Sequence, residues 1–191
     1  KSLIDLVENF SKLPGIGKKT AERLSIHILQ SNDEKVRGLA NALINVKQNI
    51  SSDEISHCFN EEGASVNDQP GRDGAMLCIV QYATDVFLME KSGYRGHYHV
   101  LDGLISPLDG ILAEDLNLNN LLSIIESYKE LVLAFEPSPQ GDATSLYLIN
   151  LLKNYDILIS RLARGVPIGS SLDFIDELTL TYSFEDRVKI K

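Results

Sequence analysis

The sequence predicts an α+β chain in several parts: an N-terminal helical segment, a connecting module, an α/β region on a mostly parallel sheet, and a C-terminal helical segment suited to oligomerisation. Three observations predict it. Apolar residues recur at three-and-four spacing through the first fifty positions, as amphipathic helices require. A polar stretch rich in Gly, Asp and Asn, 51–74, breaks that pattern. From Ala75 onward short apolar runs alternate with helix-like segments, the signature of a parallel sheet covered on both faces.

In chain order, Leu3, Leu6, Val7, Phe10 and Leu13 form one apolar stripe and predict a first helix. Ala21, Leu24 and Ile28 mark a second. Ser31-Asn32-Asp33-Glu34 reads as a capping box, with Ser31 and Glu34 satisfying backbone donors reciprocally. It opens a third helix with Val36, Leu39, Ala40, Leu43, Val46 and Ile50 inward. Strands are expected at 77–80, 98–101, 131–135 and 157–163, and helices at 84–91, 119–129 and 143–153. Ligands of such sheets sit at the carboxyl ends of strands, here 81–85, 102–110, 136–142 and 164–169. Phe174, Ile175, Leu178 and Leu180 read as a packing surface for a second subunit.

Composition excludes several classes. At 43% hydrophobic and 24% charged, the chain reads as globular. No apolar run nears the roughly 18 residues of a membrane helix, and acidic residues interrupt the start too soon for a signal peptide. Two cysteines, Cys58 and Cys78, imply no disulfide framework and point to a reducing cytoplasm. Net charge is −9 but unevenly spread. Residues 1–50 hold eight Lys/Arg against five Asp/Glu, and residues 51–191 hold ten against twenty-two. One basic surface on an acidic body is the pattern of a nucleic-acid binder, though charge alone does not decide it.

Leu13-Pro14-Gly15-Ile16-Gly17 carries the functional argument. Pro14 stops the first helix. Gly15 and Gly17 permit backbone conformations closed to other residues and leave no Cβ to obstruct close approach. Ile16 turns inward as an anchor. The N–H groups of Gly15 and Gly17, with the free donors opening the second helix, can face a phosphate. Lys18 and Lys19 follow, and Arg23 lies one turn beyond Lys19 on the same face. A device that reads backbone carries no sequence information, so binding without sequence preference is expected. Two acidic stretches, Gln81–Asp85 and Glu136–Asp142, stand at predicted strand ends.

The hairpin resembles the helix–hairpin–helix motif of DNA repair and replication proteins. The α/β part resembles a Toprim domain, in which a Glu after the first strand serves as general acid/base and later Asp residues hold Mg²⁺. Further segments follow in order: Tyr94-Arg95-Gly96-His97-Tyr98-His99-Val100-Leu101, Ile105-Ser106-Pro107-Leu108-Asp109-Gly110-Ile111, Gly141-Asp142-Ala143-Thr144-Ser145, and Arg164-Gly165-Val166-Pro167-Ile168-Gly169. Behind the hairpin, this series is similar to the bacterial RecR family of recombination mediators over essentially the whole chain.

That resemblance implies four parts: a helix–hairpin–helix DNA-binding domain (1–51), a zinc-finger region (52–74), a Toprim domain (75–163) and a C-terminal oligomerisation segment (164–191). It implies a homotetrameric ring that clamps single- and double-stranded DNA without sequence preference, in the cytoplasm at the nucleoid. It implies action with RecO, and in many bacteria RecF, to load RecA onto single-stranded DNA coated by its binding protein. It makes Lys19 and Arg23 the chief DNA-contacting side chains, and puts Gln81, Asp85, Glu136 and Asp142 at a partner-binding or vestigial acidic site.

Two departures qualify it. The family's finger carries two Cys pairs; here Cys58 stands alone beside His57, Ile55 takes the first Cys position, and 64–72 holds no Cys. A structural zinc needs four ligands, so the finger reads as degenerate and zinc-free. Gln81 stands where the first Toprim Glu falls; Gln shuttles no proton and binds hard cations poorly. Only weak Mg²⁺ binding at Asp85, Glu136 and Asp142 is left, against solvated loop ends. A non-enzymatic clamp is therefore expected. The competing possibilities are a Mg²⁺-dependent Toprim nuclease or DNA-joining enzyme, and an adaptor whose hairpin only builds an oligomer. Cys78 reads as core, His97 and His99 as too sparse for a metal site, and Asp109 as a turn residue.

Overall fold

The structure, a computed structural model, describes residues 1–190. The chain divides into two compact units, 1–50 and 51–191.

The first unit is three helices: α1 (Ser2–Ser11), α2 (Lys18–Gln30) and α3 (Asp33–Asn49). Helices α1 and α2 pack together at the small residues Ala21 and Ser25, both fully buried. Ser25 donates its hydroxyl to the Ala21 carbonyl at 2.8 Å, so burying it leaves no donor unpaired. The helix start expected at Ser31 moves by one residue. Ser31 closes α2, its N–H bonding Ile28 and its hydroxyl bonding His27. Asn32 is the N-cap of α3 and accepts from the Lys35 N–H at 3.0 Å. Asp33 and Glu34 then occupy the first turn, where the helix dipole favours acids.

The expected inward face of α3 is corrected more strongly. Leu39, Leu43 and Val46 are exposed, and Ala40 with them; only Val36 and Ile50 are partly covered. The apolar periodicity is real, but the first unit itself offers these residues no surface to pack against.

In the second unit the main sheet has four parallel strands in the order β5-β4-β6-β7. These are β4 (Asp73–Val80), β5 (Gly96–Val100), β6 (Glu130–Ala134) and β7 (Leu158–Arg161). Helices α4 (Ala83–Ser92), α5 (Leu118–Ile124) and α6 (Pro139–Leu151) connect them, and α7 (Glu177–Glu185) follows the sheet. Central β4 is apolar on both faces, with Leu77, Cys78, Ile79 and Val80 buried, as a doubly covered parallel strand must be. Helix α5 is shorter than its apolar pattern suggests and passes into a 3-10 turn, Ile125–Ser127. Helix α6 starts four residues earlier than expected. Ser138 caps it by accepting from the Gly141 N–H, and Pro139 takes its first position.

A smaller sheet holds β1 (Ile50–Ser52), β2 (Phe59–Glu61) and β3 (Ala64–Ser65) in that order. The residues around it close the open edge of β5. The Asn67 amide accepts from the Tyr98 N–H at 2.8 Å and donates to the Tyr98 carbonyl at 2.9 Å, standing in for a neighbouring strand. The Ser56 carbonyl accepts from the Val100 N–H at 2.8 Å. An exposed strand edge invites pairing with other chains, and this covering removes it.

Candidate functional site

The hairpin between α1 and α2 is a tight turn with a definite cause. Ile16 donates its N–H to the Leu13 carbonyl at 3.1 Å. Pro14 fills the second position and Gly15, at φ +78°, the third, as a type II turn requires. Ile16 is partly buried, the anchor expected of it. Gly17 departs from expectation: its φ of −78° and ψ of 165° suit any residue. Its hydrogen matters instead because nothing lies within 4 Å of where a Cβ would stand, so the backbone there is open to close approach.

Gly17 is the N-cap of α2, and no side chain bonds the helix start. The first bond into the helix runs from the Ala21 N–H to the Gly17 carbonyl, so the donors before Ala21 lack an intrahelical acceptor. No acid occupies that first turn; Lys18 and Lys19 do. Cations at the positive end of a helix oppose its dipole, by about 0.3–1 kcal/mol each at a surface. The arrangement becomes favourable when an anion sits against the free N–H groups. Lys18, Lys19 and Arg23 are all exposed. The structure thus gathers all five hairpin residues, Gly15, Gly17, Lys18, Lys19 and Arg23, around one turn.

The acidic residues are not gathered in the same way. Gln81, Asp85 and Glu136 border one shallow cleft at the carboxyl end of β4 and β6. Asp85 is already engaged, accepting from the Tyr82 N–H at 2.8 Å to cap α4. Glu136 is exposed, and its carbonyl packs so close to α6 that a Cβ on Gly141 would collide with it. Asp142 faces a neighbouring cleft lined by Arg161, Arg164 and Tyr182. Its carboxylate lies 3.6 Å from Arg164 and 4.0 Å from Arg161. Asp186 joins both arginines, at 2.6 Å to Arg161 and 3.2 Å to Arg164. The Arg164 backbone and side chain hold the Asp186 carboxyl down at about 2. The Arg164 guanidinium lies 3.8 Å over the Tyr182 ring, tying α7 to the end of the sheet.

Sequence reasoning missed these arginines. Arg164 was visible only as part of a motif, and its carboxylate partners Asp142 and Asp186 lie far off in sequence on either side. Asp142 is thereby paired with two positive charges rather than set among other acids. Among the described residues, no group of three or more His, Cys, Asp or Glu side chains could hold a metal ion.

The finger residues are engaged with other groups. Cys58 is fully buried with Cys78, Val80 and Tyr98. Burial pushes its thiol up to about 11, so it is protonated at neutral pH. His57 accepts from the Asn120 amide at Nε2, 3.0 Å away. His99 is buried, with Nε2 bonded to the Asn117 carbonyl, and burial lowers it to about 4, so the ring is neutral. His97 contacts the Tyr128 hydroxyl at 3.0 Å. Asp109 accepts from the Ser106 hydroxyl, a turn contact.

Comparison with known proteins gives the same outline. The family description "RecR, helix-hairpin-helix" matches residues 3–47, "Toprim domain" matches 75–163, and "RecR, C-terminal" matches 165–188. "Recombination protein RecR" of Chlorobium limicola is 42% identical, covering 95% of this chain and 94% of its own. The chain belongs to the RecR family. The protein of the same name from Chlorobaculum tepidum is 42% identical over 97% of this chain and 95% of its own, and that from Chloroherpeton thalassium 40% over 97% and 95%. RecR membership identifies it as a recombination protein with a DNA-binding hairpin, and no helix among the described residues is long and apolar enough to cross a membrane.

Proposed function

We propose that this chain is one subunit of a non-enzymatic clamp that holds DNA backbone without sequence preference during recombinational repair. The observation that carries this is the start of α2, where unpaired N–H groups and Lys18 and Lys19 converge beside an open Gly17. A helix start built against its own dipole is a cost unless an anion is expected there. DNA phosphate is the anion the family implies. Gly15 shapes the turn, Gly17 admits the phosphate, and Lys19 and Arg23 extend the grip along α2.

The chain does no chemistry of its own on DNA. Gln81 cannot act as a general acid or base, Asp85 caps a helix, and Asp142 faces two arginines. No zinc or Mg²⁺ is needed for the grip. Gln81, Asp85 and Glu136 at their shared cleft, with Asp142 in the neighbouring one, form a docking region for protein partners. RecO, with RecF as a second partner, would use this clamp to promote RecA loading onto single-stranded DNA in the cytoplasm. The chain assembles as a homotetrameric ring. Supporting that, Leu39, Leu43, Ile44 and Val46 of α3 stand exposed in the first unit, and Leu172, Phe174 and Leu178 in the second. Apolar surfaces of this kind mark association sites.

The test is DNA affinity measured at several salt concentrations for the native protein and for Lys19→Ala/Arg23→Ala. The double variant should keep its fold, bind DNA at least tenfold more weakly, and show a salt slope shallower by about 0.9 for each phosphate it no longer neutralises. Unchanged affinity and slope would remove the hairpin from the interface. Cleavage of labelled DNA with Mg²⁺ or Mn²⁺ that vanishes on Asp142→Asn would make the chain an enzyme instead.

A further inference from the structure

The segment that lacks zinc ligands is nevertheless cross-linked from a single cationic centre. The Arg72 side chain is 3% exposed. Its guanidinium meets Glu90 in a two-pronged pair, Nη1 to Oε1 at 2.8 Å and Nη2 to Oε2 at 2.7 Å. Nε donates to the Val66 carbonyl at 3.0 Å, Nη1 to the Gly96 carbonyl at 3.1 Å, and Nη2 to the Gln69 side chain at 3.2 Å. All five guanidinium donors are thereby used. The acceptors come from the 3-10 turn after β3, the loop before β4, helix α4 and strand β5. Tyr98 adds its hydroxyl to Glu90 at 2.7 Å and lays its ring 5.4 Å from the guanidinium.

The other end of the segment is closed by Asp53. Its Oδ1 accepts from the Ile55 N–H at 3.2 Å, the Ser56 N–H at 2.6 Å and the Ser56 hydroxyl at 2.7 Å. Burial alone would raise the Asp53 carboxyl, and these hydrogen bonds outweigh it and hold it below its usual range.

We propose that the Arg72 guanidinium, gripped by Glu90, replaces a structural zinc in this chain and staples residues 53–72 to the edge of the sheet, so that the segment folds without metal. A zinc ion ties a loop by drawing several ligands to one charged centre. A guanidinium with five directed donors does the same when an anion neutralises it and every donor finds an acceptor. The Asn67 and Ser56 bonds to β5 depend on that loop being held, so the staple also keeps the sheet edge covered.

The test combines metal content with melting. The purified full chain should carry far less than one zinc per copy, and its melting midpoint should be the same with and without EDTA. Arg72→Met keeps the bulk but removes the donors. It should lower the midpoint by on the order of 10 °C, as expected for breaking a largely buried ion pair and leaving its carbonyl acceptors unpaired, and speed amide exchange across 53–72. Arg72→Lys, which keeps the charge without the fork, should fall between. Where Arg72→Met does not fold, Glu90→Gln, close in shape with one acceptor fewer, supplies the same comparison. One bound zinc per chain, a midpoint lowered by EDTA, or variants that melt and exchange like the native protein would overturn the proposal.

Discussion

Gly15 and Gly17 stand two residues apart and make different demands on the chain. Gly15 holds φ at +78°, which costs other L-residues roughly 1–2 kcal/mol. Gly17 has an ordinary backbone and open space beside it. Gly15→Ala should therefore destabilise the helical unit by about 1–2 kcal/mol in thermal unfolding. Gly17→Ala should leave stability within about 0.5 kcal/mol yet weaken DNA binding severalfold, because its new methyl group obstructs the phosphate. Equal stability losses for the two variants, with DNA affinity intact in Gly17→Ala, would mean that the hairpin is only a turn. The turn itself was legible in sequence, since Pro followed by Gly at those positions dictates its type. The separate duties of the two glycines were not, because spacing carries no dihedral angle. Asp142 was legible as a strand-end acid, but its arginine partners were hidden by sequence distance.

At the level of elements, the alternation of strands and helices showed through because buried parallel strands need unbroken apolar runs. Helix starts showed less well. At 31–34, two residues could each cap, and the choice depended on how α2 ends. The inward face assumed for α3 failed because periodicity reports that a stripe exists, not what covers it. Helix α7 is held differently, by charge. The Asp186 carboxyl lies at about 2, against an ordinary value of 3.8, chiefly through the Arg164 backbone and side chain. A group lowered in the folded state stabilises fully above its ordinary value and loses that contribution as pH falls through the lowered one. Helix α7 should therefore stay docked at pH 5 and loosen between about pH 4 and 2, and Asp186→Asn should loosen it at neutral pH. Carboxyl titration and amide exchange of 177–186 check this; an Asp186 that titrates near 3.8 would deny the arginine latch. Glu90 is likewise held below its usual range, first by Arg72, so the stapled segment should loosen only as pH falls below the ordinary carboxylate range.

The whole molecule is acidic, at −9, and carries one modestly basic segment. A single hairpin with three cations grips DNA weakly at physiological salt. Several hairpins facing one duplex or strand would raise the effective concentration of each after the first has bound, multiplying a weak grip. The exposed apolar faces of α3 and of the C-terminal residues would join the copies. The acidic surface would face protein partners rather than DNA. The most direct measurement is the mass of the protein in solution with and without DNA, by light scattering or native mass spectrometry. A clamp predicts that DNA binds to a complex of four chains, and that Lys19→Ala/Arg23→Ala preserves the four-chain mass while losing the DNA. A single chain that binds DNA as tightly as the assembly would contradict it.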